Sequence, residues 1–317
     1  MIIHAPLDTE ILSPLEKKGC QGRIVSIRHL KELRHEINGL HRQKLLNENL
    51  YREREFSSFD YEHTVFPEAT SIIIVAYPDP PYNVTFNWYD KDISVRVPPT
   101  YLLGQSNDKR IKTFLLQSLK PLGYRVAKAN IPLKLLAVRS GLARYGKNNI
   151  GYIRGMGSFC RLVAFFSDYV CERDEWFEPR KLERCENCTI CFQKCPTNAI
   201  TEKRFLIHAE RCLTYLNEQP GHVQFPNWVS HAAHNCLVGC LRCQMKCPEN
   251  RKIKNWIKQG PKFSFKETGL LLARTPIEHL PVSTVDKLKN FGIDYLIDLI
   301  PRNLQTLIKR IDNHKLD

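Results

Sequence analysis

The 317-residue sequence has no stretch that approaches the roughly 18 consecutive apolar residues of a membrane helix, so no membrane partner is expected. Met1-Ile2-Ile3-His4 lacks the charged-then-apolar order of a secretory leader. The expectation is a cytoplasmic protein whose thiols stay reduced. Low-complexity tracts are absent, and nothing repeats except two cysteine runs. Acidic residues are few: 33 Asp and Glu face 47 Lys and Arg, giving a net charge of +14. That excess suits an anionic partner such as nucleic acid, a phosphate-bearing cofactor or an acidic redox protein, or else a basic solvated surface. At 43% hydrophobic and 25% charged residues the chain is an ordinary globular one. With about 150 residues per domain, its length suggests two domains.

What the chain has is cysteine in a strict order. Cys185, Cys188, Cys191 and Cys195-Pro196 spell C-x2-C-x2-C-x3-C-P, the pattern of bacterial two-cluster ferredoxins. Cys240, Cys243 and Cys247-Pro248 repeat it without its first cysteine, and Cys212 stands between the runs to supply the missing ligand. In that pattern the fourth cysteine ligates the other cluster. One 4Fe-4S cluster is therefore expected on Cys185, Cys188, Cys191 and Cys247. A second is expected on Cys195, Cys212, Cys240 and Cys243. Zinc sites use paired C-x2-C units and need no cysteine triplet before proline. Disulfides suit a secreted chain. Cys236 is left over, as a packed thiol or a spare ligand. Cys160 and Cys171 read as small core hydrophobes. His231 and His234 read as ligands, as shell groups around a cluster, or as surface residues.

Residues 1–65 are expected to be helical and polar, with Ile27, Leu30, Leu33 and Ile37 inward and His29, Lys31 and Arg34 outward. Residues 71–77 form a β-branched run ended by Pro78, a buried strand. The proline- and aromatic-rich tract at 78–104 reads as loop and short strand, either roofing a flat cofactor or anchoring a surface loop. Asn107 caps a helix that turns Ile111, Phe114, Leu115 and Leu119 inward. A strand at 124–127, a helix at 133–138 and a buried strand at 162–168 follow. The alternation argues an α/β (α+β) fold around one layered core. Beyond Asn250 the chain reads as helical, with Pro301 opening a helix that aligns Leu304, Leu307, Ile308 and Ile311. The expected domains are 1–180 (α/β), 181–255 (ferredoxin-like double cluster) and 256–317 (helical).

Upstream of the cysteines, Gly141-Leu-Ala-Arg-Tyr145-Gly146-Lys147-Asn148 and then Gly157-Ser158 offer glycines for close backbone approach to a cofactor, or ordinary turns. These segments are followed by Phe165-Phe166-Ser167-Asp168, both cysteine runs, and Cys212-Leu-Thr-Tyr-Leu216. In this order the chain resembles the epoxyqueuosine reductase family over about residues 65–255. The resemblance implies a nitroreductase-like domain binding cobalamin, with Gly141, Tyr145, Gly146, Lys147, Asn148, Gly157 and Ser158 as cofactor-binding candidates. It also implies electron supply by a ferredoxin or flavodoxin, and tRNA as the substrate carrier. The family's proton-donating aspartate, in a D-S-x-P segment, falls here on Ala129 or Asn130 before Pro132. Arg144-Tyr145 stands where the family commonly has Trp and a small apolar residue. The alternative to an enzyme is a non-catalytic electron-transfer protein serving a partner such as a corrinoid protein.

Overall fold

The computed structural model describes residues 7–54, 56–102 and 104–313; residues 1–4, read above for a leader, lie outside them. In chain order the elements are α1 (Leu7–Glu16), β1 (Gln21–Ser26), α2 (Leu30–Arg42), β2 (Ser71–Pro78), β3 (Tyr82–Trp88) and β4 (Lys91–Val97). Then come α3 (Gly104–Leu119), β5 (Val126–Ala129), α4 (Leu133–Arg139), β6 (Arg144–Tyr145), β7 (Gly151–Tyr152) and β8 (Cys160–Ser167). The last are α5 (Ile190–Lys194), α6 (Leu213–Asn217), α7 (Arg242–Met245), β9 (Lys258–Phe263), α8 (Phe265–Leu272), α9 (Val282–Phe291) and α10 (Ile300–Asn313). They form two compact units, Met1–Asp79 with Gln105–Cys188 and Pro80–Gly104 with Thr189–Asp317. Residues 80–104, expected within a 1–180 domain, pack with the C-terminal half of the chain instead.

The first unit rests on a four-stranded sheet of order β1-β2-β8-β5, antiparallel throughout. β2 and β8 hold its centre because they are apolar on both faces: Ile72, Ile73, Ile74, Val75, Phe165 and Phe166 are each at most 1% exposed. Ile73, Val75 and Phe165 pack with Ile11 and Leu15 of α1 and Leu115 and Leu119 of α3. Truncating one such leucine to alanine costs ~2–5 kcal/mol. α4 packs on β2 and β8 as well.

In the second unit β3 and β4 form a hairpin, and β9 joins β3 in parallel. Val84, Phe86, Ile93 and Val95 of the hairpin share one core with Phe263, Leu271, Leu288, Leu304 and Leu307. The expected inward face of α10 is the buried one.

Several expectations need correction. The 1–65 region is not all helical, since β1 occupies 21–26. His29 is 3% exposed rather than outward, because Glu32 and Asp174 bond its two ring nitrogens and Trp176 stacks on it at 4.0 Å. The 78–104 tract contains a regular hairpin, paired from Tyr82–Val97 to Trp88–Lys91. Asn107 lies inside α3 rather than at its start. The strand expected at 124–127 is β5, two residues later. The region after Asn250 opens with β9 before any helix.

Candidate metal centre and its surroundings

Each cysteine run folds as a tight turn, a short helix and a proline. α5 carries Cys191 and α7 carries Cys243, and the two helices pack on each other. Proline bars the preceding residue from helical backbone. Cys195 (φ −76°, ψ 111°) and Cys247 (φ −65°, ψ 130°) are accordingly extended, so each leaves the helical turn before it. Cys185 and Cys188 stand on a turn closed by the Cys188 N–H on the Cys185 carbonyl at 3.2 Å. All eight expected ligands are half-buried, and no disulfide joins any of the described cysteines.

Around the second run the sulfurs influence one another. Burial pushes the Cys212 thiol up to about 11, and the neighbouring Cys240 and Cys195 sulfurs add to the rise. Burial raises the Cys240 thiol as well, again with Cys195 contributing. The Ala199 N–H donates to Cys195 Sγ at 3.2 Å, and Asn235 Nδ2 donates to Cys240 Sγ at 3.2 Å. Hydrogen bonds of this kind to cluster sulfurs are one of the means by which proteins tune iron–sulfur potentials. Cys236 is 1% exposed and donates to Asn235 Oδ1 at 3.1 Å, while Leu237 N–H bonds the Arg96 carbonyl of β4. Its surroundings are those of a packed thiol. His234 is 1% exposed against the Phe225 ring, whereas His231 is on the surface. Cys160, half-buried at the start of β8, is pushed up to about 12 by burial and then by Asp79.

The 141–149 segment contains the short strand β6 and most of the turn, 146–150, that pairs it with β7. Gly141 takes φ +73° beside the Phe177 ring, and a Cβ at Gly146 would come 2.5 Å from Asn148 Oδ1. Asn148 is 3% exposed and donates to the Tyr152 hydroxyl at 2.9 Å. Tyr145 is buried, with the Lys134 ammonium over its ring at 5.9 Å. Gly157 takes φ +55° and closes on the Ile153 carbonyl at 2.8 Å; Ser158 beside it is buried. Lys147 is used differently: its ammonium donates to the Glu186 carbonyl at 3.1 Å and the Cys188 carbonyl at 3.3 Å. The structure thus joins the glycine turn to the start of the cysteine run.

A cleft of about 420 Å3 opens in the first unit, lined by Asp108, Lys128, Ala129, Asn130, Leu133 and Arg161. Ala129 is buried at the end of β5, and the Asn130 amide donates to the Ser58 carbonyl at 2.8 Å. Neither carries a carboxyl, but Asp108 does. It accepts from Lys128 Nζ at 2.6 Å and from the Tyr77 hydroxyl at 3.1 Å. Sequence reasoning passed over Asp108, although the signal was present: an acid three residues before Ile111, on the apolar face of α3.

A sequence profile described as "4Fe-4S double cluster binding domain" matches residues 184–250, so the chain carries such a domain. Among curated relatives, the epoxyqueuosine reductase of Aliivibrio fischeri is 32% identical over 161 residues, 48% of this chain and 42% of the relative. That of Escherichia coli is 30% identical over 199 residues, 60% of this chain and 51% of the relative. The chain therefore spans about half the length of these relatives. The solved epoxyqueuosine reductase of Streptococcus thermophilus aligns with TM-score 0.68 at 15% identity, covering 95% of this chain and 80% of that one. An epoxyqueuosine reductase crystallised with an epoxyqueuosine-modified tRNA-Tyr stem loop aligns with TM-score 0.68 at 18% identity, covering 96% and 81%. In sequence over roughly half its length and in fold over nearly all of it, the chain resembles the epoxyqueuosine reductases, with a double 4Fe-4S domain at residues 184–250.

Proposed function

We propose that the chain is an iron–sulfur oxidoreductase that takes electrons from a ferredoxin or flavodoxin in a reducing cytoplasm. It passes them through two 4Fe-4S clusters to a corrinoid and on to an epoxide carried on tRNA. The ligands are Cys185, Cys188, Cys191 and Cys247 for one cluster and Cys195, Cys212, Cys240 and Cys243 for the other. The observation that carries the reading is the pair of hydrogen bonds that Lys147 donates to the Glu186 and Cys188 carbonyls, which couples the glycine turn to the cluster loop.

The cleft fits a corrinoid's periphery in chemistry: an ammonium, a guanidinium, a carboxylate and an amide suit its amide and phosphate arms, and its volume admits part of the group. When bound, a corrinoid supplies a reducible, nucleophilic cobalt. Reducing an epoxide to an olefin takes up an electron pair and a pair of protons and releases water. Lys128 and Asp108, hydrogen-bonded to each other at the cleft wall, are the proton-handling groups this chain offers. The Gly141, Gly146 and Gly157 turns keep their neighbours Tyr145, Asn148 and Ser158 in place.

Anaerobic reconstitution with iron and sulfide, then added cobalamin, tests the reading. About eight irons per chain, a shifted corrinoid spectrum and turnover of epoxyqueuosine tRNA are expected. Asp108→Asn should lower turnover while leaving iron content alone. An unchanged corrinoid spectrum together with unchanged melting removes the corrinoid. The second reading, a non-catalytic electron carrier, is favoured by the lack of a carboxyl at Ala129 and Asn130. It predicts reduced clusters that pass electrons to a partner with no change in tRNA.

A further inference from the structure

The second cluster's four expected ligands all lie in the second unit, on three stretches of chain, and the two around Cys212 and Cys240 are far apart in sequence. Cys212 opens α6, and Cys240 follows a long excursion through residues 218–239. Something must hold the two loops in register, and α10 has the groups for it.

Arg302 is 5% exposed. A guanidinium has five N–H donors, and all of these are taken. Nη1 donates to the Pro220 and Val223 carbonyls at 3.0 and 2.8 Å, and Nη2 to those of Leu216 and Asn217 at 3.3 and 2.9 Å. Nε donates to Asn303 Oδ1 at 3.0 Å, and the guanidinium lies 4.4 Å from the Phe225 ring centroid. Asn303 Nδ2 in turn reaches the Asn217 carbonyl at 3.1 Å and the Leu237 carbonyl at 2.9 Å. Asn217 Nδ2 bonds the Gly239 carbonyl at 2.7 Å, which closes a path from the Cys212 helix to the residue before Cys240. About two turns further along α10, Arg310 Nη1 donates to the His234 carbonyl at 2.6 Å.

The charges are as informative as the bonds. Among the described residues neither Arg302 nor Arg310 forms an ion pair; they bond to carbonyl oxygens and an amide oxygen, and Arg302 lies over a ring. The acid that faces Arg302, Asp298, accepts the Gly221 N–H at 2.6 Å. Arg310 has no carboxylate among the described residues acting on it, and a buried cation so placed is costly unless something anionic is supplied. Arg310 Nε and His234 Nε2 are also buried with no hydrogen-bond partner among the described residues. A 4Fe-4S cluster held by four thiolates is such an anion, and its reduction adds one more negative charge.

We propose that α10 is the positioning element of the second cluster. Arg302 and Asn303 lock the Cys212 and Cys240 loops in register, and Arg310, bonded to the carbonyl of the residue before Asn235, which itself bonds Cys240 Sγ, places a fixed positive charge that favours the reduced cluster. This rests on the ligand assignment above. It extends the site to residues outside the 184–250 domain.

The test uses the full chain, reconstituted anaerobically, with iron counts, an EPR-monitored redox titration and iron release to a chelator. Arg310→Met removes a charge and one hydrogen bond at a half-buried position. It should keep the wild-type iron content while one of the two midpoints moves to more negative potential and the other stays. Arg302→Lys keeps the charge and loses the fork. Its midpoints should stay at wild-type values, while one cluster leaves to chelator several-fold faster. Arg302→Met should retain about half the iron; if it does not fold, the first two variants still decide. Wild-type midpoints in Arg310→Met, or wild-type chelator kinetics in Arg302→Lys, overturn the proposal. A wild-type chain that binds only one cluster sinks the ligand assignment instead.

Discussion

Lys147 shows what a single side chain contributes here. Its neighbours Gly146, Asn148 and Asn149 are spent on the turn itself, whereas its ammonium crosses to two carbonyls of the loop bearing Cys185 and Cys188. Hydrogen bonds from a charged donor are each worth about 1.5–3 kcal/mol, less when partly exposed. Lys147→Met should therefore cost ~1–3 kcal/mol of local stability. Amide exchange across residues 185–188 should speed up by roughly fivefold to a hundredfold, with the sheet's exchange unchanged. Unaltered exchange in that loop would show that the contact carries no energy. The double-cluster domain was legible because cysteine spacing is a local property of the chain. Arg302 was not: in the sequence it is one of many basic residues after Pro301, and only folding shows carbonyls 79 to 86 positions away converging on it. Asp174 and Trp176 cover His29 in the same non-local way.

Among the elements, the strongly periodic ones were readable. β2, β8, α3 and α10 are apolar at the period their geometry demands, so the core of each unit was visible. The hairpin β3–β4 was hidden by its polar outer residues, although Val84, Phe86, Ile93 and Val95 alternate as a half-buried pair should. β9 shows no alternation, because it is an edge strand in which only Phe263 is fully buried. α8, directly after it, owes its start to a capping box: Ser264 and Glu267 bond each other's backbone N–H. Burial alone would raise the Glu267 carboxyl. Bonds from Lys287, the Ser264 N–H and Thr284 nevertheless hold it below the ordinary glutamate value. A depressed carboxyl stabilises the fold above its unfolded value of ~4.3, and that contribution is lost as pH falls through the folded value. Glu267→Gln should thus lower stability by ~1–3 kcal/mol at pH 7. The gap to wild type should close as the pH drops below about 4. Urea melting followed by tryptophan emission, with Trp88 packed 5.3 Å from Phe265, reports it. A gap that stays constant down to acid pH would mean that the amide, not the lost charge, is responsible.

For the whole molecule the net charge of +14 becomes a testable quantity. An oxidoreductase acting on a tRNA-borne group must hold a polyanion, and each phosphate it neutralises releases counterions. The logarithm of the binding constant then falls linearly with the logarithm of salt, at about 0.7–0.9 per contact. Four phosphate contacts would cost roughly a hundredfold in affinity between 50 and 200 mM salt. Titrating the reconstituted chain with a tRNA stem loop across that range separates the two functional readings. A steep slope, with binding tight at low salt, is the expected outcome for the reductase. An electron carrier needs no such contacts, so absence of binding at low salt would remove tRNA as substrate even if both clusters assemble. The slope also counts the contacts. It therefore tells whether basic residues act together on one phosphate backbone or only keep a surface solvated.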